Sequence, residues 1–121
     1  MKTNIALILL LEGITSCTTT SHVTYTVKNA SSFTFTFQLS YDLKDTAIVF
    51  HPHEEKKVAL FNNLKVKPYN FKKIKVKEFN YKKFLLNLKD ENSWKLTFRN
   101  KALFNSSTSE YKVEILDTDF I

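Results

Sequence analysis

Apolar and polar residues alternate along most of the chain after residue 22. The clearest run has an apolar side chain at every second position: Phe33, Phe35, Phe37, Leu39 and Tyr41. A period of two is that of a β-strand with one buried face, whereas an amphipathic helix repeats about every 3.6 residues. The pattern therefore predicts an all-β chain. Further predicted strands lie at 23–27, 47–50, 57–61, 72–78, 84–88, 94–99 and 111–116.

Asparagine and aspartate separate the predicted strands, because the chain has a single glycine, Gly13. Both residue types tolerate the left-handed backbone region that turns require. Seven or eight short strands over about 100 residues predict one antiparallel β-sandwich, immunoglobulin-like in outline, with a small closed β-barrel as the alternative. The lack of glycine also excludes the P-loop, the dinucleotide-binding turn and the nucleophile elbow.

The N-terminal segment has the pattern of an export signal. Lys2 gives a positively charged start, and the seven residues at 5–11 are all apolar. That run is too short to span a bilayer, which takes about 20 residues. We therefore predict a signal peptide over 1–16.

The residues that end this signal are Ile14-Thr15-Ser16-Cys17. They resemble the lipobox of bacterial lipoproteins. The resemblance implies cleavage before Cys17, attachment of diacylglycerol to its sulfur, and acyl chains such as palmitate. The polar residues that follow Cys17 predict a tether over 17–22, and the alternation predicts the β-sandwich domain over 23–121. The alternative is an ordinary secretory signal that leaves Cys17 a free thiol; as the single cysteine, it excludes a disulfide framework in either case.

The part after the signal is similar to small β-sandwich lipoproteins of Bacteroidota. The similar features are Val27-Lys28-Asn29-Ala30-Ser31 at the end of the first strand, Pro52 after the third apolar stretch, and the closing segment Tyr111-Lys112-Val113-Glu114-Ile115-Leu116-Asp117. The resemblance implies a cell-envelope location, at the outer membrane in preference to the inner one. No activity is assigned to that family, so it implies no catalytic residue.

A basic stretch runs from Lys65 to Lys83. It comprises Lys65, Lys67, Lys72, Lys73, Lys75, Lys77, Lys82 and Lys83. Alternation predicts that Lys73, Lys75 and Lys77 form an outward row, which is a candidate site for anionic polymers or headgroups. The alternative is a solvated face. Nucleic acid is not expected as a partner, because the chain has one arginine and specific phosphate or base recognition favours arginine.

A second candidate is the segment His51-Pro52-His53-Glu54-Glu55. In an extended segment His51 and His53 point to the same side, with a carboxylate nearby. Zn²⁺ or Cu²⁺ would need a third or fourth ligand from elsewhere. The alternative is an exposed turn fixed by Pro52.

No serine, threonine or cysteine lies in a recognisable nucleophile motif, so we predict neither an enzyme nor a cofactor. The sequence predicts a membrane-anchored, non-enzymatic binding or structural module of the cell envelope, with a protein or glycan partner. Binding of anionic polymers through the stretch from Lys65 to Lys83 and metal binding through His51 and His53 are the alternatives.

Overall fold

The computed structural model describes residues 20–101 and 106–121. Neither the predicted signal peptide nor Cys17 lies within the described residues. Among those residues there is no α-helix, and no helical segment is long and apolar enough to cross a membrane. The all-β prediction is therefore confirmed for the described part of the chain. The strands are β1 (Thr20–Asn29), β2 (Phe35–Tyr41), β3 (Lys44–Phe50), β4 (Glu55–Asn62), β5 (Lys73–Val76), β6 (Lys95–Lys101) and β7 (Ser106–Ile115).

The seven strands form two sheets that share one apolar core. The first sheet has the order β4-β1-β7-β6, and the second has the order β3-β2-β5. The alternation foreseen for Phe35, Phe37 and Leu39 is present, with all three side chains buried in this core. The arrangement is sandwich-like. The closed barrel is wrong, because each sheet of the described chain ends in unpaired edge strands.

One strand pair departs from the predicted antiparallel order. β1 and β7 run parallel, in register from Thr20 opposite Ser106 to Asn29 opposite Ile115. A parallel pair needs a long connection between its strands. β1 and β7 are the first and last described strands, so the rest of the domain supplies that connection. The prediction of a wholly antiparallel sandwich is therefore wrong at this pair.

The predicted strand at 84–88 is also wrong. Only Phe84 forms a bridge, opposite Phe120. Leu88 is nevertheless buried, and Phe84 and Leu86 pack against the core. The alternation reflects a segment that covers one side of the core without joining a sheet.

β1 begins at Thr20, three residues before the start that alternation predicts at Val23. The amide of Asn63 donates to the carbonyl of Ser21 at 2.6 Å, and His22 Nδ1 lies 2.6 Å from Asn62 Oδ1. The last residues of the predicted tether 17–22 are thus paired in the first sheet. They are polar, so no hydrophobic alternation indicates the strand.

The molecule has two distinct ends. The ring of Tyr41 lies 4.9 Å from that of Phe61, which pairs with Val23, so the β2–β3 hairpin lies at the end where β1 begins. We call this the entry end. At the opposite, far end, Asn29 donates to the carbonyls of Glu54 and Phe50.

Candidate functional site

An apolar groove of about 500 Å³ opens between the edge strands β3 and β4. Because β3 and β4 belong to different sheets, no ladder of backbone hydrogen bonds closes this side of the molecule. The volume is in the range of small-ligand pockets, roughly 300–1,000 Å³. The groove is lined by Leu39, Tyr41, Asp42, Leu43, Lys44, Thr46, Val58, Ala59, Leu60, Phe61 and Phe71.

Aromatic rings make the wall of the groove rigid. Tyr41 packs edge-on against Phe61 at 4.9 Å and against Phe71 at 5.7 Å. Behind them Tyr25 meets Phe71 edge-on at 5.0 Å. Edge-on contacts of this kind stabilise a fixed ring arrangement. The Tyr25 hydroxyl donates to the carbonyl of Val66, and burial raises the pKa of this tyrosine, so it stays a neutral donor.

The half of β4 that faces the groove, residues 58–61, is an exposed strand edge without a charged side chain that would block pairing. Val58, Ala59, Leu60 and Phe61 are consecutive apolar residues, and the Leu60 side chain is 62% exposed. Within residues 20–101 and 106–121, β4 pairs only with β1 and β3 only with β2, so both strands keep unpaired backbone groups on this side. An exposed apolar edge strand is a template for pairing with another chain.

The far half of the same edge is protected by a lysine. Lys56 Nζ donates to the carbonyl of Val49 at 2.8 Å and lies 5.3 Å from the centre of the Phe50 ring. An inward-pointing charge is a common guard against edge pairing. The open part of the edge is therefore confined to the entry end.

Sequence reasoning did not find this groove. The sequence predicts a strand over 57–61, although its apolar residues Val58, Ala59, Leu60 and Phe61 do not alternate with polar ones. A bulge explains the break, because the β1–β4 register shifts between Tyr25 and Thr26. Four apolar residues in a row on a short predicted strand were the available signal.

The structure places the predicted lysine row on one edge strand. Lys73, Lys75 and Lys77 are exposed, whereas Ile74 and Val76 between them are buried. Lys73 and Lys75 lie on β5, and the amide of Lys77 pairs with Thr36 just beyond it. In the described part of the chain none of the three forms an ion pair, so their charges face solvent.

The rest of the basic stretch does not extend this row. Lys67 is half-buried and pairs with Glu91, with 3.0 Å between Lys67 Nζ and Glu91 Oε1. Lys82 Nζ lies 5.1 Å from the centre of the Phe33 ring, which belongs to the far end. The stretch from Lys65 to Lys83 is therefore divided among different surfaces.

The pair Lys67–Glu91 is part of a network that the sequence did not reveal. The Tyr111 hydroxyl donates to Glu91 Oε1 at 3.1 Å. Hydrogen bonds from Lys67 and Tyr111 lower the pKa of Glu91, and the bond to Glu91 raises the pKa of Lys67. The network fixes the loop around Lys67 to the first sheet.

His51 and His53 lie at the far end in the turn between β3 and β4. Both side chains are exposed, and His51 Nδ1 lies 3.4 Å from Thr34 Oγ1. His53 has a φ of 70° and follows Pro52, as in a type II turn. His22 lies near the start of β1, about 23 Å along the strand from Asn29, which contacts the turn that holds His53. His22 therefore cannot share a metal ion with His51 and His53. Nowhere in 20–101 or 106–121 do three His, Cys, Asp or Glu side chains form a metal-binding group.

The comparisons with known proteins give no family for this chain. No protein-family model, curated protein or solved structure matches it. The groove, the free edge of β4 and the lysine row are therefore the observations on which a function can be argued.

Proposed function

We propose that the chain is a lipid-anchored lipoprotein of a bacterial cell envelope, at the outer membrane, and that its β-sandwich is a non-enzymatic binding module. The residues Ile14-Thr15-Ser16-Cys17 support the anchor at Cys17, because they resemble a lipobox. In this proposal the two sheets have an immunoglobulin-like outline.

The groove between β3 and β4 is the binding site in this proposal, and its occupant is an extended segment of another envelope protein. The observation that carries this is the coincidence of an apolar groove with two unpaired strand edges. A segment that adds to the edge of β4 would satisfy the unpaired backbone groups. Its alternate side chains would enter the groove beside Ala59 and Phe61.

The backbone chemistry favours a polypeptide over an acyl chain. An acyl chain fills apolar space but leaves the edge amides and carbonyls of β4 unpaired, whereas a strand pairs them. Lys57 is exposed on β4. It favours a partner segment with an acidic residue beside its apolar positions.

A site-specific photocrosslinker tests this proposal in the native host. The probe is a benzophenone side chain at Thr46, which lines the groove, with a control probe at Leu116, which is exposed at the far end. We expect one discrete protein adduct from position 46 and none from position 116. Sequencing of the adduct is expected to give a segment in which apolar residues alternate with polar ones.

A second variant shows whether the edge itself is used. Leu60→Lys adds a charge to the exposed edge, and Leu116→Lys adds the same charge at the far end. We expect Leu60→Lys to abolish the adduct from position 46 and Leu116→Lys to leave it unchanged. Adducts with lipid alone, or a protein adduct that survives Leu60→Lys, would contradict strand addition at β4.

The lysine row supports a second candidate function, the binding of an anionic polymer. Lys73, Lys75 and Lys77 project on one side of β5, about 6.6 Å apart along the strand. Binding to heparin or polyphosphate should then weaken steeply with salt, and Lys73→Glu with Lys75→Glu should abolish it. Lys89→Glu with Lys95→Glu, which changes two exposed lysines elsewhere, is the matched control. Binding that does not depend on salt would rule this function out.

A further inference from the structure

Two loops at the entry end share the same pattern of sequence and backbone conformation. In each, a residue with positive φ precedes an exposed leucine and a lysine: Asp42-Leu43-Lys44 has φ 56° at Asp42, and Asn63-Leu64-Lys65 has φ 59° at Asn63. The first loop belongs to the second sheet and the other follows β4 of the first sheet. The entry end therefore carries one leucine–lysine tip from each sheet.

Packing does not explain the exposure of these leucines. Leu43 is 98% exposed and Leu64 is 53% exposed. Leu43 occupies the second position of a two-residue hairpin turn, where small or polar residues are usual. Exposed leucines from both sheets at the same end of the molecule make this end a candidate surface for contact with a membrane or a protein.

The position of the predicted lipid anchor at Cys17 favours a membrane as the contact of Leu43 and Leu64. Only Thr18 and Thr19 separate Cys17 from Thr20, where β1 begins, so the entry end can lie no more than about 10 Å from an anchored Cys17. The far end is about 30 Å away along the ten residues of β1.

We propose that the entry end is a membrane-docking surface, in which Leu43 and Leu64 enter the interface of the bilayer that holds the anchor. Lys44 and Lys65 then lie at the level of anionic headgroups, where a lysine contributes about 1 kcal/mol to binding. Asp42 and Asp45 lie at the same end, but Asp45 accepts a hydrogen bond from Ser40 within the domain. The inference rests on the proposed lipid anchor at Cys17, and it fixes which end of the domain faces the membrane.

The test uses the full lipidated chain, purified from membranes and reconstituted into vesicles that contain phosphatidylglycerol. Since acylation occupies the Cys17 sulfur, Leu43→Cys and Leu64→Cys each provide one free thiol for an environment-sensitive fluorophore. Leu85→Cys is the matched control, because Leu85 is 57% exposed but pairs with Asp119 at the far end. We expect blue-shifted emission, quenched by doxyl-labelled lipid, at positions 43 and 64 and not at 85.

Charge variants test the contribution of the lysines. With the fluorophore at position 43, Lys65→Gln should lower the ratio of inserted to free probe about fivefold, which is the effect of about 1 kcal/mol. Lys89→Gln, which changes an exposed lysine in the loop before β6, should have no effect. Emission at 43 and 64 that matches 85 on an acylated chain would overturn the docking surface. A chain whose intact mass shows no acyl group at Cys17 would instead overturn the anchor, so the two failures are distinguishable.

Discussion

Tyr81 occupies a backbone conformation that strongly favours glycine. Asn80 and Tyr81 connect the bridged residues Phe79 and Lys82, with φ of 46° and 59°. Two positive φ values in a two-residue connection define a type I′ turn, in which Asn-Gly is the preferred sequence. Asn80 fits that preference, whereas Tyr81 does not.

We expect Tyr81→Gly to stabilise the domain by about 0.5–1 kcal/mol. The left-handed region costs a residue with a Cβ about 1–2 kcal/mol, and the greater freedom of glycine in the unfolded chain offsets part of the gain. The matched control is Tyr69→Gly, since Tyr69 is exposed and lies in the 3₁₀ turn Pro68–Asn70 without a positive φ. Urea unfolding should show opposite signs for the two variants. Destabilisation by both would contradict the turn assignment.

Glu91 should make the stability of the domain depend on acid pH. Hydrogen bonds from Lys67 and Tyr111 lower its pKa from the usual value of 4.5. When folding lowers the pKa of a carboxyl group, the carboxylate stabilises the folded state at pH values above the pKa of the unfolded chain. That contribution is lost as the pH falls through the folded pKa.

The expected result is that Glu91→Gln flattens the fall in unfolding free energy between about pH 6 and pH 3. Lys67→Met should flatten it in the same way, because it removes the main partner of the carboxylate. Chemical unfolding at a series of pH values measures both. Curves of wild type and Glu91→Gln that stay parallel over this range would contradict the network.

The side chain of Asn29 joins three strands at the far end. Its side chain is fully buried; Nδ2 donates to the carbonyls of Phe33 and Phe50, and Oδ1 accepts from the amide and hydroxyl of Ser31. Its backbone carbonyl accepts from the amide of His53 at 2.7 Å. One side chain thus connects the end of β1 to the start of β2 and the end of β3.

We expect Asn29→Ala to destabilise the domain by about 2–4 kcal/mol, because it leaves several buried polar groups without partners. Asn92→Ala is the control: Asn92 is exposed, and the change there should stay within about 0.5 kcal/mol. Thermal or urea unfolding measures both. A change at Asn29 as small as that at Asn92 would contradict the role of this network.

Some strands could be predicted from the sequence and others could not. Alternation identified β2, because Phe35, Phe37 and Leu39 all face one core. It missed the start of β1 and also that of β7, Ser106-Ser107-Thr108, where the paired residues are polar. Backbone pairing leaves no hydrophobic signature.

The candidate sites also differ in whether the sequence alone could predict them. The outward row of Lys73, Lys75 and Lys77 was predictable, because it follows from the period of a single strand. The groove was not, since it depends on β3 and β4 lying at the edges of different sheets. The two leucine–lysine tips, likewise, come together only because the hairpin and the end of β4 lie at the same end of the fold.

At the scale of the whole molecule, the proposed anchor at Cys17, the groove and the entry end are all placed relative to the same membrane. In the proposed arrangement Cys17 lies in the membrane, the entry end faces the bilayer, and the far end, with His51 and His53, faces away from it. The groove opens at the side near the entry end, where a protein segment close to the membrane surface would reach β4. The lipid on Cys17 is the premise of this arrangement.

The intact mass of the chain from a membrane fraction of its host tests that premise most directly. We expect a chain that begins at Cys17 and carries acyl mass, and we expect Cys17→Ser to lose both the acyl mass and the membrane association. A chain cut elsewhere, or a full-length chain without acyl groups in the soluble fraction, would contradict the lipid anchor and the orientation built on it.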